Sequence, residues 1–323
     1  MRRRRLLWIS SIITLLTIFS ILTSYWLPRM KAEENVVMAV EFNDHSAAFW
    51  IALDKGFFKE EGVNITFLKT FRTGLELAAA LTRGDVQVGW ACLGPTIMAY
   101  SRGVPVKIVA GTHLHGYAIL SRPEIGTVSQ LNGKVIGCPG KGSPCYLLLK
   151  MMIEKYALSD VQVKKMPPYM MLNALLAGQI DAAAVPEHYA TLAELKGLNV
   201  LVRSQDIWPS MPGSILFVRE DLLERKPELV LKLVKITKRA TEYINSHFNE
   251  SAEIVSRHLG ITFDQAYRSM HNNLNYSTQI DLDQIQRYVD LMMRYGALQK
   301  QIDLSDLVDL RFLEEVERDE RVE

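Results

Sequence analysis

Residues 135–149 read VIGCPGKGSPCYLLL. An apolar run stops in a turn rich in glycine and proline, then restarts as an apolar helix. Gly137, Gly140 and Gly142 admit backbone dihedrals that other residues resist, Pro139 and Pro144 stiffen the connection, and Ser143 is placed to cap a helix whose first residue is Pro144. Such a turn presents backbone N–H groups to an acidic or strongly polar group at the sheet edge. A well-made turn that binds nothing reads the same way. The loop is not of the nucleotide-binding kind, because Lys141 is followed by Gly142 where that pattern needs Ser or Thr.

The same alternation extends in both directions. Upstream it predicts a strand over 36–42, a helix over 47–55, strands over 64–68 and 86–90, helices over 74–81 and 93–101, and a strand over 106–110. Downstream it predicts helices over 144–156, 170–177 and 187–195, with strands over 161–165, 182–185 and 200–202. This is the pattern of parallel sheets covered on both faces. Residues 112–121, THLHGYAILS, read as a crossing to a second lobe, and a strand over 214–218 after the stiff WPSMPG at 208–213 reads as the return. The fold class is therefore α/β with two lobes joined by two crossings: 36–120 plus 214–323 form a discontinuous first lobe and 121–213 the second. From 222 onward the chain reads as helical, with Asn272, Asn273, Asn275 and Tyr276 as a polar link and 304–323 as an acidic, fraying tail.

Binding loops of open α/β sheets lie at the carboxyl ends of strands. Asn43, Asp44, His45 and Ser46 hold that position after the first strand, although Asp44 or Ser46 also suits a helix cap. Trp90 and Cys92 lie at another such edge, with Trp90 either facing a ligand or packed in the core. His113 and His115 share one side of an extended segment, but zinc would need further ligands that no nearby residue supplies. Trp90, Tyr117 and Trp208 are the candidate stacking walls for an aromatic solute.

Charge excludes one class of partner. The chain carries 37 basic and 36 acidic residues, and without the five arginines among its first thirty positions the balance is 32 against 36, a net −4. That does not suit a nucleic-acid binder. Residues 6–27, LLWISSIITLLTIFSILTSYWL, contain no charge, follow four arginines and reach about 33 Å as a helix, enough to span a bilayer with the remainder outside. They read as an N-terminal transmembrane anchor, the alternative being a signal that is cleaved. Cys138 and Cys145 could form a disulfide across the turn or remain free thiols. No HExxH, GxSxG, Walker or CxxC pattern occurs, so capture of a small molecule is favoured over chemistry, with no cofactor or metal required.

Three stretches carry a family resemblance. LAAALTRGDVQVGWACLGPTIMAYSRGVPVKIVAG (77–111), LNGKVIGCPGKGS (131–143) and ALLAGQIDAAAVPE (174–187) resemble the nitrate, sulfonate and taurine group of ABC-transporter solute-binding proteins, which includes thiamine-precursor binders. The resemblance runs from about 36 to 295 and implies a periplasmic-binding-protein-like fold that closes on a solute and delivers it to a membrane permease driven by a cytoplasmic ATPase. It implies cleft positions at Asn43, Asp44, His45, Trp90, Cys92, His113, His115, Gly142, Ser143, Glu187 and His188. The implied solute is a small anion such as a sulfonate, or alternatively an aromatic heterocycle. A pyrimidine-synthase enzyme of the same fold is disfavoured because its CCCFC run is absent. Two departures stand out: Pro186 precedes Glu187 where many relatives have an EP pair, and relatives are commonly lipid-anchored or free rather than tethered by a protein segment.

Overall fold

The computed structural model describes residues 36–321. The expected anchor at 6–27 lies outside the described residues, and among those described no helix is long and apolar enough to cross a membrane. The described residues form eleven strands: β1 (Val37–Glu41), β2 (Phe67–Phe71), β3 (Val88–Cys92), β4 (Val106–His115), β5 (Tyr117–Ser121), β6 (Val135–Cys138), β7 (Gln162–Lys165), β8 (Ala182–Pro186), β9 (Asn199–Arg203), β10 (Pro212–Arg219) and β11 (Leu274–Tyr276). They form two sheets, ordered β11-β4-β10-β3-β1-β2 and β7-β6-β8-β5-β9.

The sheets are mixed rather than purely parallel. β1 runs parallel to β2 and β3, and β6 parallel to β7 and β8, each pair joined through a helix. β10 instead lies antiparallel between β3 and β4, and β5 antiparallel between β8 and β9. Those are the strands that arrive straight from the other sheet. β5 follows β4 with only Gly116 between them and β10 follows β9 through the single-turn helix Ser204–Ile207, so neither is set parallel to its neighbours by a crossover within its own sheet.

Sheet membership changes at Gly116, ahead of the 120/121 boundary expected from the sequence. His115 and Gly116 have φ values of 66° and 94°, so two left-handed residues in succession redirect the chain. A Cβ at Gly116 would lie 2.7 Å from His45 Nε2, which leaves glycine as the residue that fits. Buried side chains of both sheets share one apolar cluster, including Ile97, Ile119, Leu148, Trp208, Phe217 and Tyr288. A second cluster sets Phe49, Trp90 and Leu216 against Val230, Leu233 and Ala240 of the helix Pro227–Ser246.

Three expected elements differ. β2 starts three residues late because it is an exposed edge strand whose register follows backbone pairing, Val37 opposite Phe67, rather than its hydrophobic run. The polar link at 272–276 is in part β11, paired with β4 through Leu274–His115 and Tyr276–His113. The acidic tail does not fray before 321: helices Leu304–Leu307 and Arg311–Glu320 bury Leu307, Phe312, Leu313 and Val316. Its acidic residues occupy the outer face of an amphipathic helix, where charge does not oppose packing.

Candidate functional site

The turn after β6 forms as its residue types dictate. Gly140 and Gly142 take φ values of 115° and 87°. Ser143 caps the helix Pro144–Lys155, accepting from Tyr146 N at 3.1 Å while its hydroxyl donates to Gly140 O at 2.8 Å. Gly142 serves the docking of the two halves. A Cβ there would fall 1.5 Å from Met98 Sδ, and one at Gly94 would fall 2.5 Å from Gly142 O, so the turn lies directly on the helix Leu93–Ser101 of the first sheet. The disulfide is not formed: Cys138 and Cys145 are free, buried thiols. Each sits in the shared apolar cluster, where burial pushes the Cys138 thiol up to about 12 and the Cys145 thiol well above its usual range.

Between the sheets this turn borders a narrow opening of about 30 Å³ lined by Glu41, Asn43, Arg72, Thr73, Cys92, Tyr117 and Ser143, with Pro139, Pro144, Pro168 and Pro186. The helices Gly74–Thr82, Leu93–Ser101 and Pro144–Lys155 all begin at its wall. Glu41, at the carboxyl end of β1, accepts from Cys92 N at 2.6 Å, from the Cys92 thiol at 3.3 Å and from Asn43 Nδ2 at 3.2 Å. Tyr117 of the second sheet donates its hydroxyl to Cys92 Sγ at 3.2 Å, so a hydrogen-bonded chain from Tyr117 through Cys92 to Glu41 joins the halves. Burial and the Glu41 charge push the Cys92 thiol well above its usual range, which leaves it a donor and not a nucleophile. At the opening, the Arg72 guanidinium lies 5.2 Å above the Tyr169 ring.

Beside the opening lies a buried polar cluster. Asn43 caps the 3-10 turn Asp44–Ser46, accepting from His45 N at 3.1 Å, while Ser46 stands at the N-cap of the helix Ala47–Asp54 without a side-chain capping bond. Asp44 turns inward, accepts from Ser269 Oγ at 2.6 Å and stands 3.4 Å from His188 Nδ1. Burial would raise its carboxyl, but His188, His45 and Ser269 outweigh that and hold it below the usual carboxylate range. His45 Nε2 faces Gly116 O at 2.9 Å; a carbonyl only accepts, so Nε2 carries the proton and Nδ1 is the free acceptor, 3.9 Å from Cys92 Sγ. The His113 ring packs 4.6 Å from His45, and burial lowers the affinity of both imidazoles for a second proton. Glu187 is enclosed, accepting from Asn273 Nδ2 at 2.7 Å and from Thr191 Oγ1 and Arg203. Burial, opposed by Arg203 and Asn273, raises its carboxyl to about 7.

The profile of the NMT1-like family matches residues 31–259. The chain belongs to the NMT1-like family. This NMT1-like chain is 25% identical over 277 residues to a Bacillus subtilis protein assigned by name to aliphatic sulfonates, the match covering 81% of this chain and 82% of the relative. It is 28% identical over 188 residues to the taurine-binding periplasmic protein of Escherichia coli, covering 56% of this chain and 58% of that one. In structure it resembles the alkanesulfonate-binding protein SsuA of Xanthomonas axonopodis pv. citri bound to MOPS, with a TM-score of 0.77 at 20% identity over 86% of this chain and 99% of that one. The fold of the NMT1-like chain is thus that of the periplasmic binding proteins.

On this NMT1-like fold the expected positions separate into groups. Asn43, Cys92 and Ser143 border the opening; Asp44, His45, His113 and His188 gather in the adjoining cluster; Glu187 ties the helix Glu187–Glu194 to Asn273. Trp90 is core, its indole N–H donating to Thr237 Oγ1, and Trp208 is fully buried with its N–H on Gln284. Of the expected stacking walls only Tyr117 reaches the opening. His115 takes a left-handed φ of 66° and, like His113, does not border the opening. Sequence reasoning missed Glu41 and Arg72. The available signal was an acidic residue closing an apolar strand, VVMAVEF, and an arginine just ahead of the Thr73 cap.

Proposed function

We propose that the chain is the extracytoplasmic solute-binding component of an ABC importer and holds a small anionic solute, such as a sulfonate, between its two sheets. The observation that carries this reading is the opening itself. Residues of both sheets line it, three helices begin at its wall, the Ser143 hydroxyl borders it, and the Arg72 guanidinium beside it makes no ion pair among the described residues. Helix N-termini and a free guanidinium both favour negative charge. The relatives named for sulfonate and taurine binding support the same solute class. Sheet membership supports lobes over 36–116 with 212–321 and over 117–207, with the solute released to a permease and its ATPase when they part. Residues 6–27 hold the domain to the outer face of the membrane, which raises its concentration near that permease.

Isothermal titration of the full-length chain with ethanesulfonate, nitrate and a hydroxymethylpyrimidine tests the reading. Heat from the sulfonate supports it, and heat from the pyrimidine alone overturns it. The mass of the native protein tests the tether: a value matching residues 1–323 supports it, and a mature end near Lys31 overturns it.

A further inference from the structure

Away from the opening, the first turn of the helix Glu187–Glu194 clasps the opposite lobe at three points. Glu187 N donates to Gly116 O, where the chain crosses between the sheets. The Glu187 carboxylate accepts from Asn273 Nδ2 at 2.7 Å, at the end of the helix Phe263–Asn273. His188 Nδ1 stands 3.4 Å from Asp44 Oδ1, and neither atom makes a hydrogen bond elsewhere among the described residues. Glu187 is 0% exposed, yet its own lobe supplies only part of that enclosure, through Thr191 at 3.2 Å and Arg203 at 3.4 Å. Arg203 is shared with Glu194 at 3.1 Å, so it does not answer the buried charge alone. The rest comes from Asn273 and the Asp44 turn across the seam.

We infer that this clasp is a proton-dependent latch: parting the lobes takes Asn273 and Asp44 away from Glu187 and admits water, so closure takes up a proton at that carboxyl and the solute is held more tightly in mildly acidic than in mildly alkaline surroundings. The latch rests on the proposed closure around a solute and goes beyond it. The groups facing Glu187 fix the sign. Arg203 on β9 favours the ionised form, Asp44 on the turn after β1 opposes it, and Thr191, Asn273 and Tyr117 O do not titrate near neutrality. Burial outweighs Arg203 and Asn273, and the enclosed carboxyl titrates at about 7 against an ordinary 4.5. Closure therefore gains most at low pH and loses that gain as pH rises through 7. His45, set among Asp44, Glu41, His113 and His188, is lowered by burial and acts with the opposite sign wherever parting exposes it.

The test titrates ethanesulfonate, whose charge is constant in this range, into the full-length chain and into Glu187→Gln at pH 5.5 and 7.5. The variant stays neutral at both, so the histidine contribution is common to the two chains and cancels in their ratio. The affinity of the native chain relative to the variant is expected to fall by about tenfold from the lower pH to the higher. A ratio constant within about twofold overturns the latch and leaves the sulfonate reading standing. Amide exchange of the Glu187 N–H without solute, expressed as protection so that intrinsic rates cancel, gives a second readout. The native chain is expected to be more protected at pH 5.5 than at 7.5, and the variant equally protected at both. If ethanesulfonate binds neither chain, the sulfonate reading fails and this exchange decides the latch by itself, equal native protection at the two pH values overturning it. Should Glu187→Gln not fold, the same native comparison decides.

Discussion

Glu187 shows how little a residue's position in a motif says about its role. The family resemblance implies a place for it in the cleft, yet the side chain is fully buried among Arg203, Thr191 and Asn273. Its carboxyl goes from 4.5 to about 7 on folding. Between those values the folded chain holds the extra proton, so this group's contribution to stability is greatest at low pH and is lost as pH rises through 7, on the order of 3 kcal/mol. His45 and His113, buried and lowered, act with the opposite sign: the unfolded chain protonates them first as pH falls. The prediction is thus a difference. In urea unfolding from pH 5 to 8, Glu187→Gln becomes steadily more stable relative to the native chain as pH rises, and a flat difference contradicts the assignment. Ser143 behaves as the sequence suggested, a cap that also borders the opening. Ser143→Ala should cost about 1 kcal/mol through the lost cap and weaken sulfonate binding besides, read by thermal unfolding and titration on the same preparation.

At the scale of elements, the turn at 139–143 was legible as a strand-to-helix connection but its partner was not. Gly142 needs its positive φ and also a bare backbone against Met98. Gly142→Ala should destabilise the chain by about 1–3 kcal/mol through strain and overpacking. Met98→Ala in the same chain should recover part of that loss by removing the clash but not the strain; full recovery in thermal unfolding would mean that φ carries no cost. The C-terminal helix Arg311–Glu320 makes the converse point, since its composition suggested a loose end while its apolar face packs on the first sheet's core. Phe312→Ala should lower stability by about 3 kcal/mol in urea unfolding, and a fraying tail would show no change.

For the whole molecule, the two sheets meet through a continuous apolar cluster and through polar ties at Gly116, which accepts from both His45 Nε2 and Glu187 N. A solute held between the sheets binds the folded chain and not the unfolded one, so ethanesulfonate should raise the unfolding temperature in proportion to the logarithm of its concentration. Much of the architecture was readable in order along the chain. Strand and helix periodicity, the capping Ser143 and the repeated strand-turn-helix units depend on neighbours in sequence, and the helix Leu93–Ser101 occupies the residues expected of it. The antiparallel strands, the edge register of β2 and the added β11 depend on which strands become spatial neighbours, which local pattern does not specify. The candidate site divides the same way. Sequence placed Asn43, Cys92 and Ser143 at the edges of strands, because a strand's end is a local property. Only the tertiary structure set Glu41 against Gly74 and Cys92, left it without an ion-pair partner among the described residues, buried Trp90 and Trp208, and kept Cys138 and Cys145 as free thiols, because each of these is fixed by long-range packing.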